Sequence, residues 1–172
     1  NFEESGLSGN YGYFGTIADW FDSDAIKQLS DSNTYKIDLI GHNSDHLKEL
    51  SNVICHGPWA YCEIYEKARN WRLGLVPFKL SPLIQGVNPV KFYEYYALGL
   101  PVVSSRFSGM KEIQEQLPDS IKIYFYDGNI VDACSLAVKE DSREKRIERV
   151  RWANRETWKD RWRTVQETIG KD

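Results

Sequence analysis

Lys91 and Glu94 are the only charged residues in an otherwise apolar and aromatic stretch that runs from Val90 to Leu98. A spacing of three puts both side chains on one face of a helix. In a first helical turn, unpaired backbone N–H groups and the positive end of the helix dipole favour an anion. There Lys91 can meet a phosphate as a point charge, while Glu94 can accept hydrogen bonds from vicinal hydroxyls such as those of a ribose. The same two residues could instead form an ordinary i,i+3 salt bridge on an exposed edge, worth about 0.2–0.5 kcal/mol. Local physics leaves both readings open. Gly15 and Thr16 are a second candidate, because a glycine turn lets backbone amides approach a pyrophosphate closely.

Other residue types suggest chemistry and lose it on position. His42 and His46 are four apart, but residues 41–44 read as a turn with a cap, which takes His42 off the helix and argues against a metal site. Asp19 and Asp22 are acids at a helix start, where the dipole favours them, and not a hydrolytic carboxylate pair. Asp22 and Asp24 have the spacing of an Asp-x-Asp metal motif but begin a helix. Cys55, Cys62 and Cys134 are odd in number and lack paired spacing, so neither a disulfide framework nor a zinc site is indicated.

The elements that must position Lys91 and Glu94 are well punctuated. Asn88 is a good N-cap, Pro89 suits the first helical position, Gly99 can take the left-handed conformation just past the end, and Pro101 prevents continuation. A helix is therefore expected over 89–98. Along the whole chain, short apolar runs alternate with helix-period segments, the pattern of a mostly parallel sheet covered on both faces. Strands are expected near 11–16, 35–41, 52–56, 72–77, 101–105 and 121–126. Helices are expected near 20–30, 44–50, 60–69, 89–98, 109–117 and 129–139. The fold class is α/β, a Rossmann-like doubly wound sheet of six strands with a C-terminal helical segment. In such sheets ligands bind beyond the carboxyl ends of the strands at the switch point of strand order. Gly15 and Thr16, the stretch His56 to Trp59 and the loop 79–88 all fall there. Glycines 6, 9, 12 and 15 recur every third residue, but no strand precedes the first of them, so a dinucleotide fingerprint is not indicated. Residues 1–10 read as a linker or domain junction and 11–172 as the domain. In the last helical region, 142–169, Ile147, Val150, Trp158, Trp162, Val165 and Ile169 form one apolar stripe, interrupted at Asn154, which can cap a new helix.

The pattern Pro89, Lys91, Glu94, Tyr95, Ala97, Gly99, Pro101, Val102, Val103 resembles the donor-binding segment of GT-B fold glycosyltransferases, the large group 1 retaining class, particularly bacterial surface-polysaccharide members. Tyr13 to Asp22 resembles that family's first strand and glycine turn, Ile40 and Gly41 the end of its second strand, and Asn52 to Gly57 the strand and glycine before its nucleobase pocket. The resemblance covers roughly residues 11–165 and is most specific around Lys91 and Glu94. It implies the C-terminal half of a two-domain enzyme, binding a nucleotide-sugar donor and facing an N-terminal half that binds a saccharide or lipid-linked saccharide acceptor. A chain of 172 residues accommodates one such half by the usual prior of about 100–200 residues per domain. The expected activity of the whole enzyme is sugar transfer with retention, without metal or cofactor, with a uridine nucleotide ahead of a guanosine one, and the isolated half is expected to bind donor without turnover. By the same resemblance Lys91 stabilises the departing diphosphate, Glu94 holds the ribose, and Asn88, Pro89, Val90, Gly15 and Thr16 flank the phosphates. Gly57, His56 and Trp59 border the base, where an aromatic face from Trp59 or Tyr61 could stack on uracil or guanine; either aromatic could equally be core.

Two departures bear on the sugar. Many relatives place a second glutamate eight residues before the one matched by Glu94, where this chain has Gly86. Many also carry an arginine and a lysine after the first strand, and the turn from Gly15 to Asp19 has neither. Alternatives that remain open are a nucleotide-sugar 2-epimerase of similar build and a non-enzymatic nucleotide-binding or protein-interaction module of flavodoxin-like fold.

A formal net charge of −3, with 27% charged and 41% hydrophobic residues, describes a globular domain with material for one core and argues against a general nucleic-acid binder. The basic run from Arg143 to Arg155 is interleaved with Glu144, Glu148 and Trp152 and reads as a helix face that could still touch a membrane surface. A reducing cytoplasmic setting, at the inner face of a membrane for the whole enzyme, is expected.

Overall fold

The computed structural model describes residues 9–156 and Gln166. Six strands form one sheet: β1 (Tyr11–Phe14), β2 (Ile37–Ile40), β3 (Val53–Gly57), β4 (Leu73–Val76), β5 (Val102–Ser105) and β6 (Tyr124–Tyr126). All neighbours are parallel, in the order β3-β2-β1-β4-β5-β6. The order reverses between β1 and β4, so the switch-point crevice opens at their carboxyl ends. The helices are α1 (Ser23–Ser32), α2 (Tyr61–Ala68), α3 (Pro82–Gln85), α4 (Val90–Ala97), α5 (Ser108–Gln116), α6 (Ile130–Glu140) and α7 (Arg143–Ala153). Strands β1, β2, β4 and β5 are buried at every position, as expected when helices cover both faces.

Several boundaries differ from those expected, each for a local reason. Segment 44–50 closes only one 3-10 turn, Asp45–Leu47. The first helix begins at Ser23 because the Asp22 side chain caps it, accepting from Ala25 N at 3.1 Å. The loop 79–88 contains the single turn α3, capped by Ser81 with Pro82 at its start. Asn88 was expected to cap the key helix, but Pro89 holds the N-cap position in extended conformation with no side-chain cap, and the helix starts at Val90. A residue before proline is steered away from helical backbone, which keeps Asn88 outside. Of the junction 1–10, residues 1–8 lie outside the described part. Gly9 packs on Asn70, where a Cβ would come within 1.5 Å of the Asn70 carbonyl oxygen, and Asn10 O accepts from Arg72 N.

Helix α4 is pinned on its sheet face and at its C-terminal end. Tyr95 lies flat over Gly74 of β4, where a Cβ would meet the ring at 2.4 Å, and its hydroxyl lies 3.3 Å from Phe14 N and donates to Leu75 O at 3.4 Å. At the far end Gly99 takes φ +77°, the left-handed stop expected of it. Its carbonyl accepts from Arg149 Nη1 of α7 at 3.0 Å, and the same nitrogen bonds Asp141 Oδ1 at 2.7 Å. Arg149 is fully buried and Asp141 nearly so. Instead of the stripe of Ile147 and Val150 expected on sequence, which are only partly buried, α7 buries Arg149 and Trp152, and Trp152 packs on Phe92, Tyr93 and Tyr96 of α4. Asn154 ends α7 as its C-cap; Trp158, Trp162, Val165 and Ile169 lie outside the described residues.

Removing one member of a buried ion pair strands the other charge. Asp141→Ala is therefore expected to lower stability by about 3–5 kcal/mol, measured by urea denaturation with an unchanged m-value.

Candidate functional site

A cleft of about 630 Å³ opens at the switch point. Its floor and walls come from the ends of β1 and β2, the residues after β3, the loop after β4, and the first turn of α4. Most of the lining is apolar. Among the described residues, Lys91 and Glu94 are the only ones lining it that carry formal charge with histidine neutral, and Thr16, His42 and Asn88 add polar atoms. An apolar cleft with a few converging polar groups is the common form of a small-molecule site.

Helix α4 delivers the two charges. Residues Asn88, Pro89, Val90 and Lys91 all line the cleft, so the helix N-terminus opens into it. With proline at the cap and no capping side chain, the Val90 and Lys91 amides have no acceptor among the described residues and stay open to a ligand, while Phe92 N donates to Pro89 O at 3.0 Å. The i,i+3 salt bridge that the sequence left open is absent: among the described residues no ion pair joins Lys91 to Glu94, and each has other partners. Lys91 Nζ donates to Tyr13 OH at 3.1 Å and lies 4.4 Å and 5.1 Å from the ring centres of Tyr13 and Phe78. Burial lowers its pKa from 10.5 to about 8, opposed by the more distant Glu94 carboxylate. A charge surrounded by aromatic faces and a phenol, with no carboxylate of the described residues in contact, is partly desolvated and open to a better anion.

Glu94 is held by α2. Its Oε1 accepts from Tyr61 OH at 2.6 Å and from Tyr65 OH at 3.1 Å. Both phenols converge on one oxygen, which orients the carboxylate and leaves Oε2 with no hydrogen-bond donor among the described residues. The Glu94 carboxylate raises the pKa of Tyr61, and burial first and then the same carboxylate raise that of Tyr65, so both remain donors at neutral pH.

The glycine turn lies directly beside the lysine. A Cβ on Gly15 would stand 3.0 Å from Lys91 Nζ, and Thr16 lines the same wall. The turn is locked to β2: Gly15 N donates to Ile40 O at 2.9 Å, and Ile17 N donates to His42 O at 3.1 Å. Gly41 has φ +145°, and a Cβ there would stand 2.1 Å from the Gly15 carbonyl oxygen. Only glycine permits that approach.

Eight of the eleven residues singled out on sequence line this one cleft: Lys91, Glu94, Gly15, Thr16, Asn88, Pro89, Val90 and Trp59. The other three do not. His56 stands behind Trp59, with ring centres 4.8 Å apart; Gly57 O accepts from Gly41 N; and Gly86 closes α3. Tyr61, weighed as a base-stacking or core aromatic, is exposed and spends its hydroxyl on Glu94. Tyr13, Tyr65 and the buried Asp38 were not singled out. Asp38 had left a trace, an acid inside the apolar run Ile37 to Ile40. Asp22 accepts from Ala25 N and Tyr126 OH, a structural role. His46 pairs with Ser23, and among the described residues no three His, Cys, Asp or Glu side chains converge as metal ligands.

A lysine whose folded pKa is lowered binds fewer protons than the unfolded chain between about pH 8 and 10.5, so its contribution to stability rises with pH across that window. Lys91→Met is expected to stabilise the ligand-free chain by about 1–3 kcal/mol at pH 7. Urea titrations at pH 7 and 9 should show that advantage shrinking at the higher pH.

No family model matches the chain. It is 35% identical over 69 residues to the protein named "Putative teichuronic acid biosynthesis glycosyltransferase TuaH" from Bacillus subtilis (strain 168), a match covering 40% of this chain and 17% of that protein. Among solved structures, the pneumococcal O-GlcNAc transferase GtfA in complex with UDP and GlcNAc superposes with a TM-score of 0.61 at 14% identity, over 95% of this chain and 37% of that one. Anabaena Alr3699/HepE in complex with UDP-glucose gives 0.58 at 16% identity, over 84% and 43%. WaaG, a glycosyltransferase involved in lipopolysaccharide biosynthesis, gives 0.56 at 15% identity, over 86% and 41%. The chain thus spans less than half the length of each of these relatives, and it has the fold of the C-terminal Rossmann-like domain of GT-B glycosyltransferases.

Proposed function

We propose that this chain is the donor-binding part of a glycosyltransferase that moves a sugar from a nucleotide-diphosphate sugar to a saccharide or lipid-linked acceptor in surface-polysaccharide synthesis, with retention and without metal. The observation that carries the reading is the pairing of Lys91 and Glu94 as the two formal charges of one apolar cleft, with no ion pair between them. A ligand with a diphosphate at one end of a ribose and a diol on it satisfies both at once. TuaH is named for teichuronic acid synthesis, and GtfA and HepE were solved with UDP or UDP-glucose; both support a uridine nucleotide as donor.

In this reading the ribose hydroxyls donate to Glu94, with Oε2 the oxygen left for them. The diphosphate lies between Lys91, the turn at Gly15 and Thr16, and the Val90 and Lys91 amides that open α4. As the acceptor hydroxyl approaches the anomeric carbon from the face of the departing group, the anomeric C–O bond breaks and its electron pair passes to the terminal phosphate oxygen. The Lys91 ammonium and the amides stabilise the charge that develops there. The acceptor proton leaves to a group outside this domain, so the chain binds donor and does not turn it over. None of the described helices is long and apolar enough to cross a membrane; a cytoplasmic enzyme with peripheral membrane contact fits this reading.

Calorimetric titration of the chain with UDP and GDP tests the reading. Glu94→Ala is expected to weaken UDP binding by about 1.5–3 kcal/mol, the range for hydrogen bonds to a charged group, and an unchanged dissociation constant in a folded variant refutes the ribose assignment. Lys91→Ala should cost UDP more affinity than uridine; equal loss contradicts the phosphate role. Because the free lysine titrates near pH 8 and a bound diphosphate holds its proton, UDP binding should take up protons at pH 8 and weaken from pH 7.5 to 9.

A further inference from the structure

One carboxylate in the sheet is unexplained by the cleft itself. Asp38 lies in the middle of β2 with its side chain fully buried, where an isolated charge is costly. Four groups converge on it: Asn10 Nδ2 at 2.9 Å, Trp71 Nε1 at 2.9 Å, His56 Nε2 at 2.6 Å and Lys67 Nζ at 3.5 Å. Asn10 and Trp71 come from the residues that lead into β1 and β4, and Lys67 reaches in from α2. His56 is different, because it comes from a place where the sheet is irregular. The register between β2 and β3 runs Leu39 with Cys55 and then Ile40 with Gly57, so His56 is an extra residue opposite the link. A bulge of this kind re-aims a side chain, and here it brings the imidazole onto Asp38. An ionised carboxylate only accepts, so the proton of this bond sits on Nε2.

The imidazole also reaches forward. Its ring meets the Trp59 indole at 4.8 Å between centres and 64° between planes, an edge-to-face contact of the favourable kind. Trp59 is 36% exposed and lines the cleft, in the segment between β3 and α2. Without a support, a half-exposed indole on the loop between β3 and α2 would sample several rotamers, and ordering it would cost affinity each time a ligand bound.

We propose that Asp38 and His56 form a positioning pair that presets the Trp59 ring as the stacking platform for the nucleobase of the donor. This rests on the nucleotide-binding reading above and adds to it the group that fixes the base end. Asp38 orients His56, His56 orients Trp59, and only Trp59 touches ligand. The pair therefore acts on affinity for the base; Lys91, at the diphosphate end, contacts Tyr13 and Phe78 and neither member of the pair.

A double-mutant cycle with UDP and inorganic pyrophosphate as ligands tests this. His56→Ala leaves Asp38 three of its partners and should fold; His56→Gln can restore a donor to Asp38. His56→Ala is expected to weaken UDP binding about three- to tenfold with pyrophosphate binding unchanged within about twofold. In a Trp59→Ala background the same substitution should have no further effect on UDP, because its route to the ligand is gone. His56→Gln restores the donor to Asp38 but offers Trp59 no ring, so it should lose UDP affinity about as much as His56→Ala does. An equal loss in the Trp59→Ala background, an equal loss for pyrophosphate, or an unchanged UDP affinity overturns the positioning role while nucleotide binding by the unaltered chain stands. Failure of the unaltered chain to bind UDP or GDP overturns the nucleotide reading and this proposal with it.

Discussion

The ammonium of Lys91 sits in the cleft with a phenol and two aromatic faces around it and, among the described residues, no carboxylate in contact. Much of the structure around it serves to keep it so. Glu94, one turn along the same helix, would be the natural partner, yet two tyrosines of α2 hold its carboxylate by one oxygen. The glycine turn after β1 brings backbone against the lysine where any side chain would crowd it. Gly41 in turn lets β2 close behind that turn. A cation left partly desolvated is a poor contribution to the free domain and a strong one to a complex with an anion, the usual trade between stability and function at a site.

The scaffold explains how such an arrangement persists. Helix α4 is anchored by Tyr95 against Gly74 of β4 on one side and by Trp152 and the buried Arg149 of α7 on the other. The Arg149 bond to Gly99 O ties the helix end to Asp141. Rigid elements on both faces thus fix the height at which Lys91 and Glu94 enter the crevice. The cleft walls facing them come from loops after β1, β2 and β3, where side-chain placement depends on local devices such as the bulge at His56.

The key helix was readable in the sequence because its punctuation is local. Proline at its start, glycine in a left-handed stop and a charged pair at i,i+3 all act within one or two turns, and the structure differs only in giving the cap to Pro89 and not Asn88. The alternation of apolar runs and helical periods likewise yields the six-stranded parallel sheet. Partners across the sheet left little trace. Tyr65 reaches Glu94 from 29 residues away and His56 reaches Asp38 from 18, pairings that depend on strand register and on an irregularity invisible to periodicity. Segment 44–50 carried helix signals but had room for a single turn before β3. Gly86 ends a helical turn and the Gly57 carbonyl bonds β3 to β2, contacts that a match to motifs does not reveal.

A crystal structure of the chain soaked with UDP tests the central claim most directly. The account predicts the nucleotide in the switch-point cleft, a ribose hydroxyl within hydrogen-bond distance of Glu94 and a phosphate oxygen within about 3 Å of Lys91 Nζ. UDP bound elsewhere, or in the cleft with neither side chain in contact, would contradict it.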